Sequence, residues 1–373
     1  MSSSSAGLRV AYAGAGGMRV AFARAASTRA AGRRAASHAA LPTSAASTRA
    51  ASKAARALST QRGGVQRLLA AIRRTPWWHY DATPHDAVAA KADPSGAFRG
   101  EVARNRALFE ELMAQGNAHN EALRAYDAAP LAGAPVDGTE VVAPRAGAAD
   151  ATLMFVHGGG FVVGSPGAYR GAVASLLARA PGVRAVVPRY ALAPERELPA
   201  AVADVAATYE WLAARGPVAV AADSAGCYLA LRALERSAMP PAGVLCWSPF
   251  LRHHPRLDGP RRPLDDGDGD FLDARAVDVV GAAAHPEDDR AHDEAHARAL
   301  AGPPSSTPLK IVAGAAELLR GDAEALAAAA PHASLDVVDE MFHDFMLFPR
   351  FVREGEEALD ESGAFVAACL AAT

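Results

Sequence analysis

The sequence predicts an α/β protein with a mostly parallel sheet flanked by helices, and three observations carry that expectation. After Pro130, β runs near 139–143, 152–157, 184–190, 217–222, 243–248, 309–313 and 334–338 alternate with Ala-rich segments. Five of these runs are separated by helix-length stretches, the pattern of strands covered by helices on both faces. The chain has 373 residues, 50% hydrophobic and 21% charged, which suits a globular protein with a sizeable core. No uncharged apolar stretch reaches the roughly 18 residues a membrane span requires, so an integral membrane protein is excluded.

In chain order, residues 1–60 are built from Ala, Ser, Thr, Gly and Arg without a regular apolar period. Residues 1–80 hold 13 of the 38 basic side chains and none of the 41 acidic ones; the first acid is Asp81. An Arg-rich, Ser-rich, acid-free start reads as a removable organellar transit peptide, with a mitochondrial address preferred over a plastid one and a disordered tail as the alternative. Residues 61–130 read as a helical, cap-like segment. Val65, Leu68, Leu69 and Ile72 recur at helical spacing up to Pro76, and a second run from Phe98 to Tyr126 places Val102, Leu108, Leu112 and Met113 on roughly one face. The dipeptide Trp77-Trp78 reads as core or lid packing. Residues 131–373 form the α/β body, interrupted by a Pro-, Gly-, Asp- and His-rich excursion over 251–306.

The charge balance and the cysteines narrow the classes further. Beyond residue 80 the chain carries 25 basic against 41 acidic residues, an acidic body that does not invite nucleic acid. Cys227, Cys246 and Cys369 are odd in number and form no CxxC pair, so neither a disulfide framework nor a thiolate zinc site is supported.

The stretch 217–230, PVAVAADSAGCYLA, carries the chemistry. A β run breaks at Ala222-Asp223-Ser224-Ala225-Gly226 and becomes helix, which thrusts Ser224 out at a strand-to-helix corner between the small residues Ala222 and Gly226. Upstream, His157-Gly158-Gly159-Gly160-Phe161 ends another β run. Consecutive glycines cost backbone entropy, but they let peptide N–H groups converge on an anion. Gly159 and Gly160, with the amide of Ala225, are therefore expected to form an oxyanion hole. On such a scaffold an acid and then a histidine follow the serine, each on a loop after a late strand. His343 follows the run 335–338; His332 lies before it, at the wrong end of the sheet. His253, His254, His292 and His296 are placed poorly. Glu317, just after the run 309–312, is expected to orient His343. Asp322 is expected as a helix cap, and Asp344 as a solvated or structural acid, since adjacent side chains diverge.

These motifs resemble the hormone-sensitive-lipase branch of the α/β-hydrolase superfamily, the HGGG-type carboxylesterases, over roughly residues 150–350. His157–Phe161 with Gly164 and Ser165 carry the resemblance, as do Tyr190-Ala191-Leu192-Ala193-Pro194-Glu195 with Leu198-Pro199-Ala200-Ala201 and Asp204, and Asp223-Ser224-Ala225-Gly226. Gly314, Glu317 and His343 fall in the family's places, and Asp270-Phe271-Leu272 resembles its pre-acid segment. Departures are Ala222 and Cys227 for glycine, Ala191 for arginine and Glu317 for aspartate; Cys227 is expected to crowd the elbow. The resemblance implies an α/β-hydrolase fold and a serine hydrolase that cleaves carboxylic esters through an acyl-enzyme, with Ser224, His343 and Glu317 as triad. It implies a small-molecule ester or amide substrate and no metal or organic cofactor. An amidase or N-acyl deacylase would use the same groups. A non-catalytic receptor, as in a plant hormone-receptor lineage that has lost the histidine, is disfavoured by His343; an inactivated scaffold is the remaining rival.

Other motifs fail. Asp265 to Asp270 lacks the glycine and glutamate of an EF-hand and reads as a solvated acidic stretch. In His292-Asp293-Glu294-Ala295-His296 the glutamate is one position late for HExxH. Gly14-Ala15-Gly16-Gly17 follows no βαβ unit, so a dinucleotide site is dismissed.

Overall fold

The computed structural model describes residues 65–70, 72, 79–91, 96–235, 237–253, 269–285, 294, 297–303 and 306–373. The proposed transit segment 1–60, Trp77-Trp78, Gly14 to Gly17, Asp265 to Asp268 and the two histidines of 292–296 lie outside the described residues.

An eight-stranded sheet organises the α/β body. In chain order its strands are β1 (Tyr126–Pro130), β2 (Glu140–Pro144), β3 (Ala151–Val156), β4 (Val183–Val187), β5 (Val218–Asp223), β6 (Gly243–Trp247), β7 (Leu309–Gly314) and β8 (Ser334–Val338). They lie side by side as β1-β2-β4-β3-β5-β6-β7-β8. The β1–β2 and β2–β4 pairs are antiparallel, and all others are parallel. Every residue of β5 and β6 is buried, which explains their continuous small and apolar sequences: both faces are covered.

The helices are α1 (Pro84–Ala89), α2 (Ala97–Ala118), α3 (Pro166–Leu177), α4 (Leu198–Ala213), α5 (Ala225–Leu234), α6 (Ala274–Ala284), α7 (Arg320–Ala329) and α8 (Arg353–Ala371). Their starts follow local chemistry. Thr83 and Asp86 form a reciprocal capping box on α1, and Ser165 caps α3 ahead of Pro166. Residues 65–70 are helical, and Val65, Leu68, Leu69 and Ile72 are buried. The second helical run ends at Ala118 rather than Tyr126, because Tyr126–Pro130 leaves it as the edge strand β1, which the β pattern missed. Its alanines and Asp127 carry little β preference, and Pro130 is tolerated only because the strand is at an edge.

Helix α2 is fastened to the loops around the site. The Arg106 guanidinium donates to the carbonyls of Val162 (2.6 Å) and Ala193 (2.8 Å) and forms a two-point pair with Glu195 at 2.9 and 2.7 Å. Helix α6, from the 251–306 excursion, packs on α1. Among the described residues, no helix is long and apolar enough to cross a membrane.

Candidate active site

Ser224 sits where β5 ends and α5 begins, with φ 48° and ψ −120°, a conformation an L-residue adopts only under constraint. Close packing imposes it. A Cβ on Gly226 would stand 2.1 Å from the Val156 carbonyl, so the start of α5 lies directly against β3. The Ser224 amide donates to the Trp247 carbonyl at 2.9 Å, and its carbonyl accepts from the Phe250 amide at 3.0 Å. Ala222 is wholly buried, and Cys227 is seated rather than crowding the elbow: its thiol donates to the carbonyls of Ala222 (3.3 Å) and Trp247 (3.5 Å).

The glycine segment folds beside the serine. The Gly158 amide is spent on the Asp223 carboxylate at 2.8 Å, so it is not free to meet an anion. The backbone then turns through three positive φ values, at Gly159 (110°), Gly160 (57°) and Phe161 (67°). At Gly159 a Cβ would fall 2.2 Å from the Val163 carbonyl, so a side chain is excluded there. Among the described residues the amides of Gly159 and Gly160 donate no hydrogen bond, and the amide of Ala225, first residue of α5, has no intrahelical acceptor. His157 lies below, stacked between Tyr169 and Tyr190, and burial holds its imidazole neutral with a pKa lowered to about 4. It is a packing residue. Tyr190 ties it down by donating to its carbonyl at 2.7 Å.

His343 and Glu317 arrive on the loops after β8 and β7. The His343 Nε2 is 3.0 Å from the Ser224 Oγ, and both residues are buried. Exposed His332 precedes β8, as expected. The Glu317 side chain is wholly buried; its Oε2 accepts from the Ser248 hydroxyl (2.7 Å) and the Gly314 amide (2.9 Å). Its Oε1 and the His343 Nδ1 have no hydrogen-bond partner among the described residues. The two groups still act on each other through charge. Burial raises the Glu317 pKa to about 8, and an imidazolium at His343 favours its carboxylate form.

Three acids differ from their sequence expectations. Asp322 is not the cap of α7: it lies inside the first turn, wholly buried, and accepts from the amides of Leu251 (2.8 Å) and Arg252 (2.9 Å) and from the Arg252 guanidinium (2.8 Å). Asp270 is not solvated. Its Oδ1 accepts from the amides of His343 (3.1 Å) and Phe271 (2.8 Å), and its Oδ2 from the Leu318 amide (2.8 Å), joining the histidine and glutamate loops. Asp344 is buried, with its Oδ2 3.0 Å from the His343 Nε2. Its left-handed backbone (φ 53°, ψ 34°) turns the carboxylate back toward the imidazole, so the rule that adjacent side chains diverge fails here. Sequence reading also missed Ser248, which donates to Glu317 and accepts from the Asp344 amide at 3.0 Å. For Asp270 the signal was the Asp270-Phe271-Leu272 resemblance; Ser248 had none. Among the described residues no group of three or more His, Cys, Asp or Glu could hold a metal ion.

A sequence model of the family described as alpha/beta hydrolase fold matches residues 153–347, a little over half of the chain. This chain belongs to that family. An acetyl-hydrolase of Streptomyces hygroscopicus is 34% identical to the α/β hydrolase described here over 58% of this chain and 75% of its own length. The carboxylesterase/phospholipase LipF of Mycobacterium tuberculosis is 30% identical over 61% of this chain and 65% of its own. The crystal structure of an esterase from the bacterial hormone-sensitive lipase family covers 83% of this chain and 98% of that one at 25% identity, with a TM-score of 0.66. This hydrolase is therefore of the esterase/lipase-like, hormone-sensitive-lipase kind.

Proposed function

We propose that this α/β hydrolase cleaves carboxylic esters of small molecules through an acyl-enzyme. The observation that carries the reading is Ser224 on its strained elbow with its Oγ 3.0 Å from the His343 Nε2. In the first half-reaction the Ser224 oxygen bonds to the ester carbonyl carbon while its proton passes to Nε2. The oxyanion meets the unspent amides of Gly159, Gly160 and Ala225. The tetrahedral species then collapses, the alkoxide leaves with the proton from Nε2, and an acyl-Ser224 ester remains. Water, deprotonated by His343, attacks that ester in the second half-reaction and restores the hydroxyl. Glu317, in its carboxylate form, offers a buried negative charge that favours the imidazolium. The name of one relative, carboxylesterase/phospholipase, supports an ester substrate.

Ser224→Ala is expected to remain folded and to lose both p-nitrophenyl ester hydrolysis and covalent labelling by a fluorophosphonate probe. Full hydrolysis by this variant, with background esterase excluded, would remove the mechanism. Targeting is a separate proposal, resting on the acid-free, Arg-bearing sequence of residues 1–80: import into an organelle, with the mitochondrion preferred over the plastid.

A further inference from the structure

Two contacts meet at one nitrogen. His343 Nε2 is 3.0 Å from the Ser224 Oγ and 3.0 Å from the Asp344 Oδ2. A carboxylate oxygen beside the lone pair of a neutral imidazole is repelled, whereas beside an N–H it is a charge-assisted acceptor. The contact therefore fits a proton already resident on Nε2, shared between Asp344 and Ser224. That proton is the one a general base must not yet hold.

The surroundings single out Asp344 among the acids near His343. Asp223, at the end of β5, has its two oxygens engaged by the Gly158 amide (2.8 Å) and the Tyr169 hydroxyl (2.9 Å). Asp270, ahead of α6, accepts three backbone amides. Glu317, after β7, takes the Ser248 hydroxyl and the Gly314 amide. Ser224 at the elbow contributes a neutral hydroxyl, and the Phe271 ring packs edge-on at 5.9 Å from the imidazole. Asp344 has its Oδ2 on the reacting nitrogen, and its Oδ1 is buried without a partner among the described residues. A buried carboxylate so poorly served by other donors gains most from the Nε2 proton.

We propose that Asp344 is a second acid of the catalytic site, holding a proton on His343 Nε2 in the free enzyme and so setting the pH above which His343 serves as base. The proposal rests on the ester-hydrolase reading above. Electrostatics agree with the geometry: burial pulls the His343 pKa down, but the charge and hydrogen bond of Asp344, with Glu317 and Asp270 adding to them, carry it up to about 9. Below that value the resting imidazolium cannot take the Ser224 proton, and kcat/KM falls about tenfold for each pH unit.

The test is the pH profile of kcat/KM on an uncharged p-nitrophenyl ester for wild type, Asp344→Asn and Asp344→Gly. Asn and Gly both accept the left-handed backbone at 344, and both keep the amide that donates to Ser248. The acid limb of the wild type is expected to have its midpoint near 9. Each variant is expected to move it down by about one unit or more, so that the unprotonated fraction of His343 at pH 7 rises about tenfold. Loss of a purely structural residue would lower amplitude without moving the midpoint. A wild-type midpoint at the ordinary histidine value, or one unmoved or raised in the variants, overturns the inference while leaving ester hydrolysis standing. Absence of any ester hydrolysis and of fluorophosphonate labelling in the wild type across the pH range would overturn both readings.

Discussion

Glu317 shows how one side chain can have two separable duties. Its Oε2 holds the Ser248 hydroxyl and the Gly314 amide, while the carboxylate charge bears on His343 from close by. Glu317→Gln retains an oxygen that accepts both hydrogen bonds and removes only the charge. Turnover of a p-nitrophenyl ester is therefore expected to drop by about 10²- to 10⁴-fold with little change in melting temperature, on the scale seen when an orienting acid is made an amide elsewhere. Unchanged turnover would assign Glu317 to structure alone and leave the imidazolium to Asp344 and Asp270. The contrast with Asp322 is physical. That carboxylate is equally buried but is spent on the 251–252 backbone and the Arg252 guanidinium, away from the imidazole contacts.

Helix α2 places its Arg106 on the turn that carries the proposed oxyanion donors. Val162, whose carbonyl accepts from Arg106, donates its own amide to the Gly159 carbonyl at 3.1 Å, so the helix and the proposed anion site share one short stretch of backbone. Arg106→Met keeps the apolar stem and removes the donors to Val162, Ala193 and Glu195. The melting temperature is expected to fall by a few degrees, roughly 2–4 °C for each kcal/mol lost. If the turn is held by this contact, kcat should fall more than KM rises, because the donors matter most when charge develops on the substrate oxygen. A variant with wild-type kcat and a lowered melting temperature would make α2 a stabilising element only.

Residues 55–373 form one compact unit, and every group assigned to catalysis lies within it. The hydrolase chemistry is therefore expected to be independent of residues 1–54. A fusion of residues 1–75 to a fluorescent reporter should enter an organelle and be shortened, whereas a chain beginning near 55, which keeps the buried Val65, Leu68, Leu69 and Ile72, should stay outside it and hydrolyse esters. A diffuse, full-length reporter in cells of the source organism would discard the targeting proposal and leave the hydrolase untouched.

Local sequence determined the strands, because β3, β5 and β6 are buried on both faces and must be written in small and apolar residues. It also determined the elbow and the glycine turn, because Gly226 and Gly159 stand where a Cβ would strike a backbone carbonyl. Strand order placed Ser224, Glu317 and His343 at the carboxyl ends of β5, β7 and β8, and those ends meet on one side of a parallel sheet. What the sequence left undecided depended on chain reversals and distant partners. The edge strand β1 has no strong pattern of its own and forms by pairing with β2. Asp322 read as a helix cap and Asp270 as part of a solvated acidic stretch until residues some 70 and 73 positions away supplied their donors. Asp344 was expected as a solvated or structural acid because adjacent side chains diverge, and only its left-handed backbone in the folded chain carries the carboxylate to the His343 Nε2.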